Sequence, residues 1–145
     1  MRQPPSPCLN GWTFPDHYTD AACHYTHAVR TAEISIFCER ALPAVRAAAR
    51  ECGYALAIHG SQQRDLDIVA IPWTEEATNT ERLLNAIARA VHDETGWGHW
   101  HDQPALKPHG RVAYTITASA EVHIDLSIMP RSGQPPSSIF EREHV

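Results

Sequence analysis

The segment from Val122 to Ile128 alternates strictly between apolar and polar side chains. Because successive residues of a β-strand point to opposite faces, this alternation predicts a strand with one buried face and one polar face. The apolar members are Val122, Ile124, Leu126 and Ile128, and the polar members are His123, Asp125 and Ser127. The pattern therefore places Asp125 among polar neighbours on one face of a sheet.

From residue 30 to residue 52, apolar side chains recur at the spacing of one helix face. They are Ile34, Phe37, Cys38, Ala41, Val45, Ala48, Ala49 and Cys52. Pro43 lies inside this run but off its apolar stripe, so we expect a kink or two abutting helices there. Gly53 predicts the end of the helix, because glycine readily takes the left-handed conformation at a helix C-terminus.

Short apolar runs at residues 54–59 and 66–72 predict two strands. Their nearly continuous hydrophobicity is typical of strands that are buried on both faces. Residues 111–117 and 121–129 predict two further strands. Only residues 118–120 separate the second pair, which indicates an antiparallel hairpin.

A second main helix is predicted between the two strand pairs. Thr78 and Glu81 have the spacing of a capping box, and Gly96 is placed to end the helix. Its apolar stripe consists of Leu83, Leu84, Ile87, Ala90 and Val91. The order of elements predicts an α+β fold in which a mixed or antiparallel sheet is flanked by two main helices.

The chain length of 145 residues is typical of one domain, which we expect to span residues 29–130. Residues 1–28 predict an irregular N-terminal arm, and residues 131–145 predict a mobile C-terminal tail rich in Pro, Ser and Gly. The formal net charge of −5 argues against duplex DNA or an anionic membrane as the main partner, since both attract strongly basic surfaces.

The sequence lacks the roughly 20 consecutive apolar residues that a membrane span requires. Its start, Met1-Arg2-Gln3-Pro4-Pro5, does not resemble a secretory signal. We therefore expect a cytoplasmic protein in which the cysteines are reduced thiols. The cysteines are Cys8, Cys23, Cys38 and Cys52.

Three carboxylates are placed by the predicted strands so that they could meet. Asp65 and Asp67 are two residues apart at the start of the second strand, so their side chains share one face. If that strand is adjacent to the last one, Asp125 converges with them. A carboxylate cluster of this kind favours a hard cation, and Mg²⁺ is bound by carboxylate, phosphate and water oxygens.

Groups suited to phosphate lie on either side of these strands. Gly60 allows the backbone to approach a phosphate closely, and the Ser61 hydroxyl adds a donor. Lys107 and Arg111 flank a turn at residues 108–110. These two cations could be ordinary charges of a solvated loop, or they could form a phosphate or acceptor clamp.

Gly60-Ser61, Asp65-Leu66-Asp67 and Ile124-Asp125-Leu126 together resemble the signature of the DNA polymerase β-like nucleotidyltransferase superfamily. That signature is a Gly-Ser turn, an Asp-apolar-Asp pair on the next strand, and a third Asp on a later strand. The resemblance covers residues 54–130 and implies a minimal nucleotidyltransferase domain.

The resemblance also implies the roles of the residues. Asp65 and Asp67 would hold Mg²⁺ or Mn²⁺, with Asp125 as the third carboxylate that helps to deprotonate an acceptor hydroxyl. Gly60 and Ser61 would hold the β- and γ-phosphates of a nucleoside triphosphate. A nucleoside monophosphate would pass to an acceptor that the sequence leaves open: a protein side chain, an RNA end, a small molecule or a nucleotide.

One departure from the signature leaves two interpretations open. Only Gln62-Gln63-Arg64 separate the Gly-Ser turn from Asp65, where typical members have a longer segment that begins a helix. Either the short loop grips phosphate with Arg64 supplying charge, or the domain binds or sequesters nucleotide without transferring it. A scaffold that merely retains the fold is a third possibility.

The sequence also resembles small phage and prophage proteins, which implies a host cytoplasm as its location. The shared stretches are His59-Gly60-Ser61, Arg64-Asp65-Leu66-Asp67, Ile71-Pro72-Trp73, Lys107-Pro108-His109-Gly110-Arg111 and Asp125-Leu126-Ser127-Ile128-Met129-Pro130.

Histidines and aromatic residues support weaker alternatives. His59-Gly60-Ser61 matches one motif of the two-histidine phosphoesterases, but His123-Ile124-Asp125 does not match the second. A zinc site would have to use the loosely spaced Cys8, Cys23, His24 and His27. A loop containing Trp97, His99, Trp100 and His101 could stack a nucleobase, or it could pack over the sheet edge.

Overall fold

The computed structural model describes the backbone of residues 20–133 and the side chains of residues 26–133. Its elements, in chain order, are α1 (Asp20–Arg40), α2 (Leu42–Glu51), β1 (Tyr54–His59), β2 (Leu66–Pro72), α3 (Thr80–Thr95), β3 (His99–Trp100), β4 (Ala105–Leu106), β5 (Val112–Thr117) and β6 (His123–Ile128). A single 3-10 turn (Pro108–Gly110) lies between β4 and β5. The predicted α+β class is confirmed. The predicted C-terminal tail falls outside this range after residue 133, as does Cys8.

The strands form one mixed sheet in the order β1-β2-β6-β5-β3, and the short β4 also pairs with β5. Strand β6 lies between β2, to which it is parallel, and β5, to which it is antiparallel. The predicted β5–β6 hairpin is therefore confirmed. Strands β3 and β4 were not predicted, because each has two residues and so carries no recognisable periodicity.

The core lies between one face of the sheet and the helices. Alternate side chains of β2, β5 and β6 belong to the same buried cluster as the apolar stripes of α1, α2 and α3. The central ones are Leu66, Ile68, Val112, Ile116, Ile124 and Leu126. The intervening side chains, such as Asp67, Thr115 and Asp125, point to the other face. Within residues 20–133 no helix packs on that face, which we call the open face.

The expectation that β1 and β2 are buried on both faces is wrong. Ala55, Val69 and Ile71 on the open face are only half-buried, and Ala57 is exposed. Alanine has little apolar surface to lose to water, so its exposure costs little free energy. The near-continuous hydrophobicity of these strands therefore reflects alanines of β1 and half-buried aliphatic side chains of β2 on an open face.

The break between α1 and α2 agrees with the expectation of two abutting helices. Ala41 separates them, and Pro43 occupies the first turn of α2, where a missing N–H leaves no hydrogen bond unmade. After α2 ends, Gly53 has a φ of +86°, the left-handed conformation that glycine adopts most easily. Gly96 ends α3 with a φ of +78°.

Two predicted boundaries are wrong. Helix α1 already begins at Asp20, so residues 20–28 are not part of an irregular arm; the chain has no Pro or Gly between Asp20 and Leu42 to stop the helix. Helix α3 is capped by Asn79 rather than Thr78, and the Asn79 side chain accepts a hydrogen bond from the Arg82 N–H at 2.9 Å. Asparagine is at least as good an N-cap as threonine.

None of the helices between residues 20 and 133 has the length and apolar character needed to cross a membrane.

Candidate functional site

A row of polar residues crosses the open face at one level. In the strand registers, His59 is the partner of Asp67, Asp67 is the partner of Asp125, and Asp125 is the partner of Thr115. The row therefore runs through β1, β2, β6 and β5. Apolar side chains of the same strands are turned to the core, so the sequence alternation that builds the core also builds this row.

The two carboxylates at the centre of the row are forced together by the parallel pairing of β2 with β6. Asp67 and Asp125 are direct register partners, and neighbouring strands are about 4.8 Å apart. Burial raises the pKa of the Asp67 carboxyl, and the negative charges of Asp125 and Asp65 raise it further. His59 and Lys107 act in the opposite direction. Burial and the neighbouring carboxylates together therefore outweigh His59 and Lys107, and the charged form of Asp67 is disfavoured.

The structure places Asp67 and Asp125 side by side, with Asp65 nearby. Asp65 precedes β2 and is exposed, but it is near enough to Asp67 to affect the pKa of that carboxyl. Asp67 is half-buried, and the side chain of Asp125 is 38% exposed. A ligand approaching the open face can reach Asp67 and Asp125.

Gly60 packs directly against the Asp67 carboxylate. A Cβ atom at this position would lie closer than 3.0 Å to Asp67 Oδ2, and Gly60 has a φ of +76°. Both facts favour glycine, because other residues are disfavoured at positive φ and a methyl group would displace the Asp67 carboxylate. Gly60 thus allows the end of β1 to lie directly against Asp67, a candidate metal ligand.

The connection from Gly60 to β2 contains only bends, and Ser61, Arg64 and Asp65 in it are exposed. Gln62 has a φ of +57°, so the chain reverses there without forming a helix. A phosphate at this loop would meet the backbone of a turn and the side chains of Ser61 and Arg64, since no helix N-terminus is formed.

Lys107 and Arg111 reach the open face from the opposite side of the row. The Lys107 ammonium lies 4.0 Å from Asp125 Oδ2, and both side chains are well exposed. Arg111 donates hydrogen bonds from Nε to the Pro108 carbonyl at 3.0 Å and from Nη1 to Ser127 Oγ at 3.2 Å. The phosphate or acceptor clamp of Lys107 and Arg111 stays a prediction.

The segment that carries these cations is held by a tight reversal of the chain. Strands β4 and β5 pair antiparallel, and the Lys107 N–H donates to the Arg111 carbonyl at 2.9 Å. His109 and Gly110 have φ values of +65° and +72°, which turn the chain within the Pro108–Gly110 segment. The short hairpin thus sets both basic side chains beside β6.

Three further open-face residues flank the carboxylates, and of these the sequence analysis did not single out Thr115. Ser127 is 4% exposed and anchors Arg111, and Thr115 is the register partner of Asp125. His101 extends the row beyond β5, because its N–H donates to the Thr115 carbonyl at 3.0 Å. The alternation in residues 112–117 could have indicated Thr115, whereas His101 depends on the unpredicted strand β3.

The carboxylates fit a magnesium ion only as part of a shared coordination sphere. Within residues 26–133 no group of three or more His, Cys, Asp or Glu side chains is arranged to hold a metal ion by itself. Magnesium in phosphoryl-transfer sites is instead bound by one or two carboxylates, with substrate phosphates and water completing the octahedron. Asp67 and Asp125 have the donor type that such a shared site needs, and they are direct register partners.

None of the known protein-family models matches the chain, and no curated protein and no solved structure is significantly similar to it.

Proposed function

We propose that the open face binds a magnesium- or manganese-nucleoside triphosphate and transfers its nucleoside monophosphate to an acceptor. The observation that carries this proposal is the register pairing of Asp67 with Asp125, with Lys107 and Arg111 beside them. Two carboxylates for a cation and two cations for phosphate meet on one accessible surface. That combination matches the charge pattern of a metal-bound triphosphate.

The arrangement of charges supports an orientation for the triphosphate. Its metal-bound oxygens would lie over Asp67 and Asp125, and its free oxygens would be held by Lys107 and Arg111 on one side. On the other side Gly60 and Ser61, with Arg64, offer backbone and side-chain donors. Lys107, which now lies 4.0 Å from Asp125 Oδ2, would turn to the phosphate when Asp125 is neutralised by a cation.

The reaction needs an acceptor hydroxyl in line with the α-phosphorus. The hydroxyl oxygen forms a new bond to the α-phosphorus as the bond from that phosphorus to the α,β-bridging oxygen breaks, and pyrophosphate leaves. The Asp125 carboxylate accepts the hydroxyl proton, while Asp67 would hold the cation to which the triphosphate binds. When bound, the cation supplies neutralisation of the negative charge that develops on the phosphoryl oxygens.

A thermal-shift titration tests the proposed binding without knowledge of the acceptor. Each of the four ribonucleoside triphosphates is added with Mg²⁺, with Mn²⁺ or with EDTA. A ligand at 100 times its Kd stabilises the native state by about 2.7 kcal/mol, which corresponds to a rise of about 5–10 °C in Tm for a domain of this size. We expect this rise only with nucleotide and metal together.

Variants separate the metal site from nonspecific charge effects. Asp67→Asn should abolish the metal-dependent rise, whereas Asp93→Asn on α3, which lies outside the open face, should leave it intact. If no nucleotide raises the Tm in any metal, or if Asp67→Asn responds as the wild type does, the proposed site is wrong. Transfer itself is then followed by pyrophosphate release with candidate acceptors, and we expect Asp125→Asn to lose that release.

A nucleotide-binding protein without turnover is the second candidate. It is favoured by the connection between Gly60 and Asp65, which forms no helix, and by the Lys107 ion pair that already occupies Asp125. In that case binding would survive in Asp125→Asn and no acceptor would yield pyrophosphate. A protein that binds nucleotide without metal would also bind it in EDTA.

The two-histidine phosphoesterase alternative receives less support from the geometry. His59 is on β1 and His123 is on β6, with β2 between them; His59 is the register partner of Asp67, whereas His123 lies two residues before Asp125, the β6 partner of Asp67. The two imidazoles therefore do not come from paired strands, and a carboxylate lies beside the place where an anionic phosphate would have to bind.

A further inference from the structure

Two histidines extend the open face at the edge opposite β1. His99 is the register partner of Thr117 on β5, and His101 follows one residue after β3. Both side chains are exposed, and their ring centroids are 5.0 Å apart with an interplanar angle of 88°. We call this pair the histidine corner.

Hydrogen bonds of His101 and the packing of Trp100 hold the histidine corner in place. His101 Nε2 is hydrogen-bonded to Thr117 Oγ1 at 2.9 Å, and the His101 N–H donates to the Thr115 carbonyl at 3.0 Å. Trp100 between the histidines turns to the other face, where it packs edge-on against Tyr114 and donates from Nε1 to Asn85 Oδ1 at 2.9 Å. Strand alternation thus anchors β3 through Trp100 and leaves the two imidazoles presented to solvent.

The aromatic loop was predicted either to stack a nucleobase or to pack over the sheet edge. Its residues differ in which of these two roles their geometry fits. Trp100 packs the loop onto the sheet edge, as the structural alternative required. His99 and His101 do not take part in that packing, because they lie on the face without helices. Packing in the core therefore does not account for the orientation of the two imidazoles.

The distance from the histidine corner to the carboxylates matches the length of a ribose and a base. His101 is bonded to Thr115, and Thr115 is the register partner of Asp125, so two strand spacings separate His101 from Asp125. At about 4.8 Å for each spacing, the backbone separation is about 10 Å. A ribose and a base extending from a phosphate over Asp67 and Asp125 span that gap.

We propose that the histidine corner is the nucleobase subsite for the triphosphate held at Asp67 and Asp125, an inference that rests on the proposed function. A flat heterocycle that stacks on one imidazole lies perpendicular to the other and meets it edge to face, the arrangement that aromatic rings favour. Ring nitrogens at the same place can hydrogen-bond the base edge. Because every base has a π-face, the subsite accepts both purines and pyrimidines.

The test compares a nucleoside triphosphate with inorganic tripolyphosphate, which has the same phosphates and no base. Binding of each to the full chain is measured by isothermal titration calorimetry in Mg²⁺. The variants are His99→Gln and His101→Gln, which remove the ring and keep a hydrogen-bonding side chain. The matched control is His27→Gln on α1, a helix that packs on the core side of the sheet and not on the open face.

We expect the wild type to bind the nucleoside triphosphate at least about 5-fold more tightly than tripolyphosphate, the low end of the contribution of base–aromatic stacking. Each corner variant should reduce that preference, the double variant should abolish it, and none should weaken tripolyphosphate binding. His27→Gln should behave as the wild type does. Thr117→Val, which removes the support of His101 and keeps its ring, should produce an intermediate loss.

Two results overturn the inference while leaving the proposed function standing: equal affinities of the wild type for both ligands, or a preference that survives in the double variant. A loss of tripolyphosphate binding equal to the loss of nucleotide binding would also overturn it, since the histidines would then support the phosphates. If neither ligand binds the wild type, both proposals fail together.

Discussion

Gly60→Ala is the substitution that best separates the stability of this fold from the function of its open face. The added Cβ would approach Asp67 Oδ2 closer than 3.0 Å, and the residue would have to keep a φ of +76°. The left-handed conformation costs a residue with a side chain about 1–2 kcal/mol. The carboxylate itself can rotate away, so its displacement adds little to the free energy of unfolding.

Gly96→Ala is the matched control. Gly96 has nearly the same φ, +78°, but a Cβ there would have no heavy atom within 4 Å. Both variants should therefore lose about 1–2 kcal/mol in the free energy of unfolding, measured by urea denaturation, and their losses should agree within about 0.5 kcal/mol.

The two variants should differ in binding. Displacing a group that orients a metal ligand typically reduces metal affinity 10- to 100-fold. We therefore expect Gly60→Ala to bind metal-nucleotide at least about 10-fold more weakly by calorimetry, and Gly96→Ala to bind it as the wild type does. Unchanged binding in Gly60→Ala would refute the reasoning that the position of Asp67 matters, and an equal loss in both variants would trace the effect to stability alone.

The remaining predictions concern charge, capping and the core. Because the folded-state pKa of Asp67 lies above its ordinary value of 3.8, ionising this group makes folding less favourable as pH rises through that pKa. Without metal, Asp67→Asn should therefore be more stable than the wild type at pH 7 by about 0.2–1 kcal/mol, the cost of a like-charged cross-strand pair. Urea titrations near pH 3 should show that this difference in stability is lost. Asn79→Ala should destabilise the protein by about 1 kcal/mol in urea denaturation because it removes the cap of α3, whereas Thr78→Ala should have a smaller effect. Leu126→Ala should cost about 2–5 kcal/mol in the same assay, because Leu126 is fully buried. Arg111→Met should weaken nucleotide binding at low salt more than at high salt, as measured by calorimetry.

Much of the fold follows from local sequence patterns. The alternation in residues 122–128 identified both the strand and the polar face that carries Asp125, and Pro43 marked the division of the first helical segment. These features depend on side-chain direction and backbone geometry, which a short stretch of sequence determines.

The arrangement of the candidate site could not be predicted from local sequence patterns. Asp67 and Asp125 meet because β2 and β6 pair in parallel across a long stretch of chain, and no local signal specifies that pairing or its register. The same applies to His101, whose position follows from a two-residue strand. The sequence could place each carboxylate on a strand face, but the distance between them came from the assembled sheet.

Diffraction from crystals soaked with Mn²⁺ and a non-hydrolysable nucleoside triphosphate tests the central claim most directly. The anomalous signal of manganese locates the ion without any assumption about the acceptor or about turnover. We predict a peak between the carboxylates of Asp67 and Asp125, bridged to phosphate oxygens, with Lys107 moved from Asp125 to the phosphates. Manganese bound elsewhere, or nucleotide bound away from the open face with the Lys107–Asp125 pair intact, would contradict the account.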